Sequence, residues 1–333
     1  MIRKKSDNES GEDRLIARYF KPFATHPGAL ALTDDAAFLT PPDGRDLVVT
    51  TDAVVAGIHF FPADPAAAVA SKALRVNLSD LAAKGAEPAG FVMALGMPAI
   101  KPRWLEAFAR QLAADARTYG CPLLGGDTVK TKGSLFVSIT AIGTLPRRTM
   151  VKRSGAKAGD VVMVTGTLGD ASLELHRRRK GSPKWKLSRA AARHLAQRYL
   201  YPEPRCGLAL AVRRCASAAI DISDGLAGDL TKLCKVSGVS ADIDIGKVPL
   251  SPAAQAALAA APKLIETVLT GGDDYEIVCT VPPQQLEQFR ELARDAEVPV
   301  TAIGCIAAGK APPRFRDARG NPFSFVRGSF SHF

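Results

Sequence analysis

The chain has 333 residues, a formal net charge of +11 and a charged fraction of 23%, long enough for two domains and a sizeable core. Its mean hydropathy of +0.03, with no uninterrupted apolar run reaching the ~18 residues of a membrane span, argues against a helical membrane protein. Six dispersed cysteines without a C-x-x-C pair argue against a disulfide framework, and the polar start MIRKKSDNESGED lacks the apolar segment of a secretory signal, so a cytoplasmic protein is expected.

In chain order, residues 1–10 are polar and are expected to form a disordered tail. Gly11 to Phe23 carries an apolar helical pattern through Leu15, Ile16, Tyr19 and Phe20. Asp46–Asp52 reads as a strand ending in Thr50, Thr51 and Asp52. Pro65–Gly85 reads as a helix, on which Lys72, Val76 and Asp80 share one side at i, i+4 and i+8. A strand at Phe91–Leu95, a helix at Arg103–Tyr119 and a strand at Leu135–Leu145 follow.

Polar and basic residues at Pro146–Lys152 predict a boundary, dividing the chain into the tail, an N-terminal domain at 11–147 and a C-terminal domain at 148–333. The second half opens with a strand at Val161–Thr165 and a turn, Gly166–Asp170, leading toward a helix. Helices are expected at Ser188–Tyr199, Gly207–Ala216, Leu226–Ser237 and Gln284–Glu297, and strands around Asp242–Ile245, Glu276–Val281 and Val300–Ile306. Strands mixed with helices in both halves predict two α/β or α+β lobes.

Chemistry concentrates in six short segments that set acids beside small or hydroxyl residues: Asp34–Ala37, Thr50–Asp52, Asn77–Asp80, Gly125–Thr128, Ile222–Gly225 and Gly271–Asp274. Each alone can be a helix cap or an Asx-turn. Together they ask for cations, because converging carboxylates repel unless neutralised, and several Mg²⁺ ions with room for substrate phosphates are the economical solution. No Walker A loop, dinucleotide fingerprint or protein-kinase motif is present. The five histidines form no zinc pattern, although His59, shortly after Asp52, can contact a substrate or simply pack at a strand end. The basic run Arg177–Lys180 reads as a solvated helix end or loop; no recognition motif accompanies it, so no nucleic-acid partner is expected.

Read together, these segments resemble the thiamine-monophosphate kinase family, within the ATP-binding superfamily of aminoimidazole ribonucleotide synthetase. The match runs in order along nearly the whole chain: LIARYF (15–20), DDAAFL (34–39), TTDAVVAGIHF (50–60), KALRVNLSDLAAKGAEP (72–88), GGDT (125–128), KRSGAKAGD (152–160), VTGTLGD (164–170), AIDISDGLAGDL (219–230) and GGDDYEI (271–277). The resemblance implies a two-lobed aminoimidazole ribonucleotide synthetase-like fold, with an N-terminal α+β lobe whose sheet forms a dimer and a C-terminal α/β lobe. It implies the last step of thiamine diphosphate biosynthesis: ATP phosphorylates thiamine monophosphate by direct in-line transfer, with Mg²⁺, in a cytoplasmic homodimer.

By motif position the resemblance implies metal ligands at Asp35, Thr50, Thr51, Asp52, Asp80, Asp127, Asp221 and Asp224. It places Gly126, Asp127, Arg153 and Ser223 on ATP, and His59, Asp273 and Phe330 on the thiamine substrate. Asp52, Asp127 and Asp224 are the implied catalytic residues. Three departures stand out: Thr33 where the family usually has glycine, Asp273 where glutamate is commoner, and an altered ending, GSFSHF (328–333), around Phe330. Two alternatives remain: another synthetase of the superfamily, making an aminoimidazole or a selenophosphate, and a basic nucleic-acid-binding protein. Against the selenophosphate enzyme, the N-terminal tail has no cysteine. Against the hydrogenase maturation factor, the chain ends in SHF and not in cysteine.

Overall fold

The computed structural model describes residues 11–179, 181, 185–317 and 319–325. The expected tail at 1–10 and the expected substrate contact Phe330 lie outside the described residues. An opening helical stretch, α1 (Gly11–Leu15), continues through one π turn and one 3-10 turn to Phe23. The N-terminal lobe then comprises β1 (Arg45–Val55), α2 (Ala66–Ala83), β2 (Glu87–Met97), α3 (Pro102–Thr118), β3 (Leu123–Lys130) and β4 (Phe136–Pro146). The sheet order is β1-β4-β2-β3, with β2 parallel to β3 and the other pairs antiparallel. Leu74, Leu78 and Leu81 of α2 and Phe108 and Leu112 of α3 bury one face of this sheet against Phe91, Leu95 and Ile139. On the other face Leu47 and Val49 of β1 and Val129 of β3 stay exposed.

The C-terminal lobe contains β5 (Val161–Thr165), α4 (Asp170–Arg178), α5 (Arg189–Leu200), α6 (Ala209–Cys215), β6 (Ala218–Ile222), α7 (Leu226–Ser237) and β7 (Ser240–Asp244). It continues with α8 (Pro252–Ala260), α9 (Ile265–Thr270), β8 (Glu276–Val281), α10 (Leu286–Asp295), β9 (Val300–Ala307), β10 (Arg314–Arg316) and β11 (Pro322–Phe323). These strands form a seven-stranded sheet in the order β11-β10-β7-β9-β5-β8-β6. Every residue of β6 and β8 is buried, because Leu226, Leu230 and Leu233 of α7 cover one face and Val212 and Phe289 of α6 and α10 the other. That two-sided burial explains why these strands are mostly apolar, with Asp221, Glu276 and Thr280 as buried exceptions.

The long helix α2 joins the lobes. Its interior leucines serve the first core, whereas Ala82 and Ala83 pack in the second. Beyond its end the Lys84 ammonium donates to the Ala219 carbonyl at 2.6 Å. Behind the junction the fully buried Glu276 carboxylate accepts from Arg198 at 2.7 Å, from Arg205 at 2.5 and 2.7 Å and from Thr165 at 2.5 Å. A buried charge so completely paired fixes β5, β8 and the entry to α6 relative to one another.

Candidate active site

A cavity of ≈ 340 Å³ opens where the lobes meet, and the acidic segments from both halves reach it. Asp52 lies mid-way along β1, three residues before its end, so the strand runs further than the sequence pattern predicted. Side chains alternate along a strand, which separates the three expected ligands of this segment. Thr50 and Asp52 share the cavity side, and Thr50 Oγ1 donates to Asp80 Oδ2 at 2.6 Å. Thr51 instead points to the opposite face, donating to the Ile139 carbonyl at 3.2 Å and pairing with Thr140 Oγ1 at 3.1 Å.

From the C-terminal lobe, β6 delivers Asp221 and the following turn delivers Ser223 and Asp224. Asp229, one turn into α7, accepts from the backbone amides of Ser223 and Asp224 at 3.0 and 2.9 Å and so holds that turn. Lys232, one turn further, donates to Asp224 at 2.5 Å and to Asp229 at 2.8 Å. Neither residue was singled out from the sequence, although their i, i+3 spacing directly after the ISDG motif was the available signal.

Electrostatics set these acids apart from ordinary surface carboxylates. Asp52 faces the cleft, yet crowding by its walls pushes its pKa up to about 6, with the charges of Asp80 and Asp224 adding to the effect. Burial, and then Asp80 and Asp229, hold Asp221 well above the usual carboxylate range despite a hydrogen bond from Ser79 at 3.1 Å. Burial and then the neighbouring Arg153 bring Lys84 down to about 8. Like charges are thus pressed together by the fold itself, at a cost that cations would relieve. The donor set is hard oxygen, which suits Mg²⁺. Among the described residues no three His, Cys, Asp or Glu side chains form a ready-made cluster. Magnesium takes one or two carboxylates and keeps its waters, so it does not require one.

His59 and Asp273 line the same cavity. His59 sits in the turn after β1, where Nδ1 accepts from the Val55 amide at 3.0 Å; the neutral ring therefore carries its proton on Nε2. Asp273 stands at φ +67°, a left-handed conformation that aspartate tolerates better than most residues, and its amide donates to the Ser223 carbonyl at 2.8 Å. Both carboxylate oxygens are held, by Lys72 Nζ at 3.0 Å and by Tyr275 Oη at 3.1 Å. Lys72 also donates to the His59 carbonyl at 3.1 Å and lies 4.0 Å from the centre of the Tyr199 ring, with only 3% of its side chain exposed. One buried lysine on α2 therefore ties together two segments of opposite lobes. Arg153, expected on ATP, lines the same cavity.

Asp35, Gly126 and Asp127 are not brought to this cleft. They line a second cavity of ≈ 330 Å³, between the 29–37 segment and β3. The GGDT segment, for which no strand was expected, is part of edge strand β3. A Cβ on Gly126 would meet the Met93 carbonyl oxygen at 2.0 Å, so this glycine admits the neighbouring β2 backbone. In the sheet Asp52 pairs with Ile139, Ile139 with Met93, and Met93 with Gly126. Three strand spacings, about 14 Å, hence separate Asp52 from the 126–127 position. Within one chain the expected catalytic set of Asp52, Asp127 and Asp224 is split. Thr33 is not in a left-handed conformation; the positive-φ residues are Leu30, Ala31 and Leu32, before it.

Comparison with known proteins gives the family of the fold. The AIR synthase related protein N-terminal domain matches residues 33–145, and the AIR synthase related protein C-terminal domain matches residues 157–312. Thiamine-monophosphate kinase of Caulobacter vibrioides is 44% identical over 311 residues, covering 91% of this chain and 86% of that protein. The crystal structure of thiamine-monophosphate kinase from Stenotrophomonas maltophilia superposes with a TM-score of 0.79 at 37% identity, covering 88% of this chain and 91% of that one. AaThiL complexed with AMPPCP and TMP superposes with a TM-score of 0.75 at 30% identity, covering 88% and 89%.

Proposed function

The chain belongs to the thiamine-monophosphate kinase family, and from that membership we propose that it transfers the γ-phosphoryl group of ATP to thiamine monophosphate, giving thiamine diphosphate and ADP. The observation that carries this reading is the one cleft lined by Asp52, Asp80, Asp221 and Asp224 from both lobes together with His59 and Asp273, the last paired with Lys72. Bound Mg²⁺ would be held by these carboxylates, with Thr50, and would neutralise the phosphates. Arg153 and Ser223, which line the cleft, would take the nucleotide's phosphates, and His59 would stand on the acceptor side. No general base is required, because a phosphomonoester, with its second pKa near ~6, is already a nucleophile at neutral pH. The residues' work is alignment and charge compensation for in-line displacement.

Release of ADP, measured with thiamine monophosphate, thiamine and other phosphorylated acceptors, tests the substrate. Turnover of thiamine with none of its monophosphate would overturn the reading. Direct transfer is tested by acid-quench trapping with γ-³²P ATP; a labelled protein that passes its phosphate on at a competent rate would refute it.

We further propose that the working enzyme is a homodimer in the cytoplasm. The split between Asp52 on β1 and Asp127 on β3 supports the dimer, since these strands are the two open edges of one sheet and a second copy can bring one edge to the other. The apolar residues left exposed on the same sheet, Leu47, Val49 and Val129, support it as well. Six unpaired cysteines and the absence, among the described residues, of a helix long and apolar enough to cross a membrane accord with a cytoplasmic location. Sedimentation equilibrium at micromolar concentration tests the dimer, and a monomer there would count against it.

A further inference from the structure

The basic run lies at the end of α4, where Arg177 and Arg179 are exposed as its composition predicts and Arg178 is half-buried. Arg177 donates to the buried Glu174 at 2.8 and 2.9 Å. Arg178 pairs with the buried Asp64 and lies 4.1 Å from the centre of the Phe61 ring and 5.2 Å from that of Tyr199. Arg179, four residues after Leu175, lines the cleft together with that leucine. Among the described residues it has no carboxylate partner.

Its position along the cleft follows from its neighbour. Arg178 is fastened to Phe61, two residues beyond His59, and to Tyr199, the ring that holds Lys72 against His59 and Asp273. The end of α4 is therefore sewn to the acceptor wall. Two other bases line the cavity: Lys232, committed to Asp224 and Asp229, and Arg153, read above as a nucleotide contact.

We propose that Arg179 binds the phosphate of the acceptor and gives the enzyme its preference for phosphorylated over unphosphorylated thiamine. This rests on the activity proposed above. A phosphomonoester dianion entering a cleft lined by aspartates is repelled until it meets positive charge. A guanidinium not engaged by a carboxylate presents a planar fork that matches two phosphate oxygens and carries its charge at every working pH. An acceptor ending in a neutral hydroxyl offers a single uncharged oxygen, so Arg179 adds far more affinity for the phosphorylated form.

Steady-state kinetics on Arg179→Gln, Arg179→Lys and Arg193→Gln, the last an exposed residue of α5 controlling for net charge, test the proposal. Arg179→Gln is expected to raise KM for thiamine monophosphate by about tenfold or more, with KM for ATP within about twofold of the parent. Arg179→Lys recovers part of the loss, and Arg193→Gln behaves as the parent. An unchanged KM for thiamine monophosphate in Arg179→Gln would overturn the proposal while leaving the activity intact, as would an equal rise in KM for ATP. A parent enzyme that fails to turn over thiamine monophosphate would overturn the activity and this inference with it.

Discussion

The cleft cavity and the β3-edge cavity have nearly the same volume, ≈ 340 and ≈ 330 Å³, but their acids live under different conditions. In the cleft, β1, α2, β6 and the two following loops press carboxylates together, and bases of the same chain are interleaved: Lys232 on Asp224, Lys72 on Asp273. Along the β3 edge, Asp35 and Asp127 are exposed, and no lysine or arginine lines the cavity. The cleft gathers acids and bases from both lobes of one chain. The edge carries motif residues with no chemical counterpart beside them, which makes sense if that edge works on the cleft of another copy.

The sharpest way to break this contrast is to disable each region. Asp52→Asn and Asp127→Asn are each expected to lower kcat by about 10³-fold with the far-UV spectrum unchanged. Mixing the two inactive variants under subunit exchange should restore about a quarter of the parent activity, since half the dimers are mixed and each mixed dimer has one intact site. Mixtures that stay dead would show that the two acids do not complete one site across the dimer.

Stability separates them next. Lys72→Met strands the Asp273 carboxylate in the wall and should cost about 3 kcal/mol in urea unfolding, with part recovered in Lys72→Met/Asp273→Asn. A loss below 1 kcal/mol (roughly the worth of a surface pair) would show that this buried lysine is no junction. Magnesium and pH probe the cleft alone. Because Asp52 has a folded pKa of about 6, above its ordinary 3.8, its contribution to stability is fully present below pH 3.8 and is lost as pH rises through 6. Asp221 shifts in the same direction. Added Mg²⁺ should therefore stabilise the protein most at pH 7.5, by about 2.7 kcal/mol at a hundredfold excess over Kd, and much less at pH 5. A calorimetric Tm shift equal at both pH values would contradict that charge state.

The smallest effect belongs to the edge. Gly126→Ala forces a methyl onto the Met93 carbonyl and should cost about 1–2 kcal/mol by displacing β3, with activity reduced and the KM for thiamine monophosphate little changed. A neutral Gly126→Ala would mean that β3 is not held where β2 needs it.

Much of the frame is legible in the residues. The strands at Val161–Thr165 and Glu276–Val281 and the helix at Leu226–Ser237 have the bounds their patterning predicts. Strand β3 was hidden because Gly125 and Gly126 interrupt its apolar pattern; Gly126 allows the β2 backbone to approach. Helix α8 escaped notice because its alanines leave almost no contrast between faces. Lys72 and Asp80 were visible as sharing one side of α2, but not that Lys72 would be buried and paired across 201 residues.

From composition and local spacing alone, this chain determines two mixed lobes, acids asking for magnesium, and a motif order that resembles one kinase family. Those are properties of neighbours along the chain. Which acids meet is a different matter, because strand alternation turns Thr51 away from Asp52 and sheet order puts Asp127 about 14 Å from it. The cations paired with Asp273 and Glu276 come from distant segments: Lys72 stands 201 residues from Asp273, and Arg198 and Arg205 stand 78 and 71 residues from Glu276. Coulomb interactions act through space and not along the sequence, so only the folded chain could decide them.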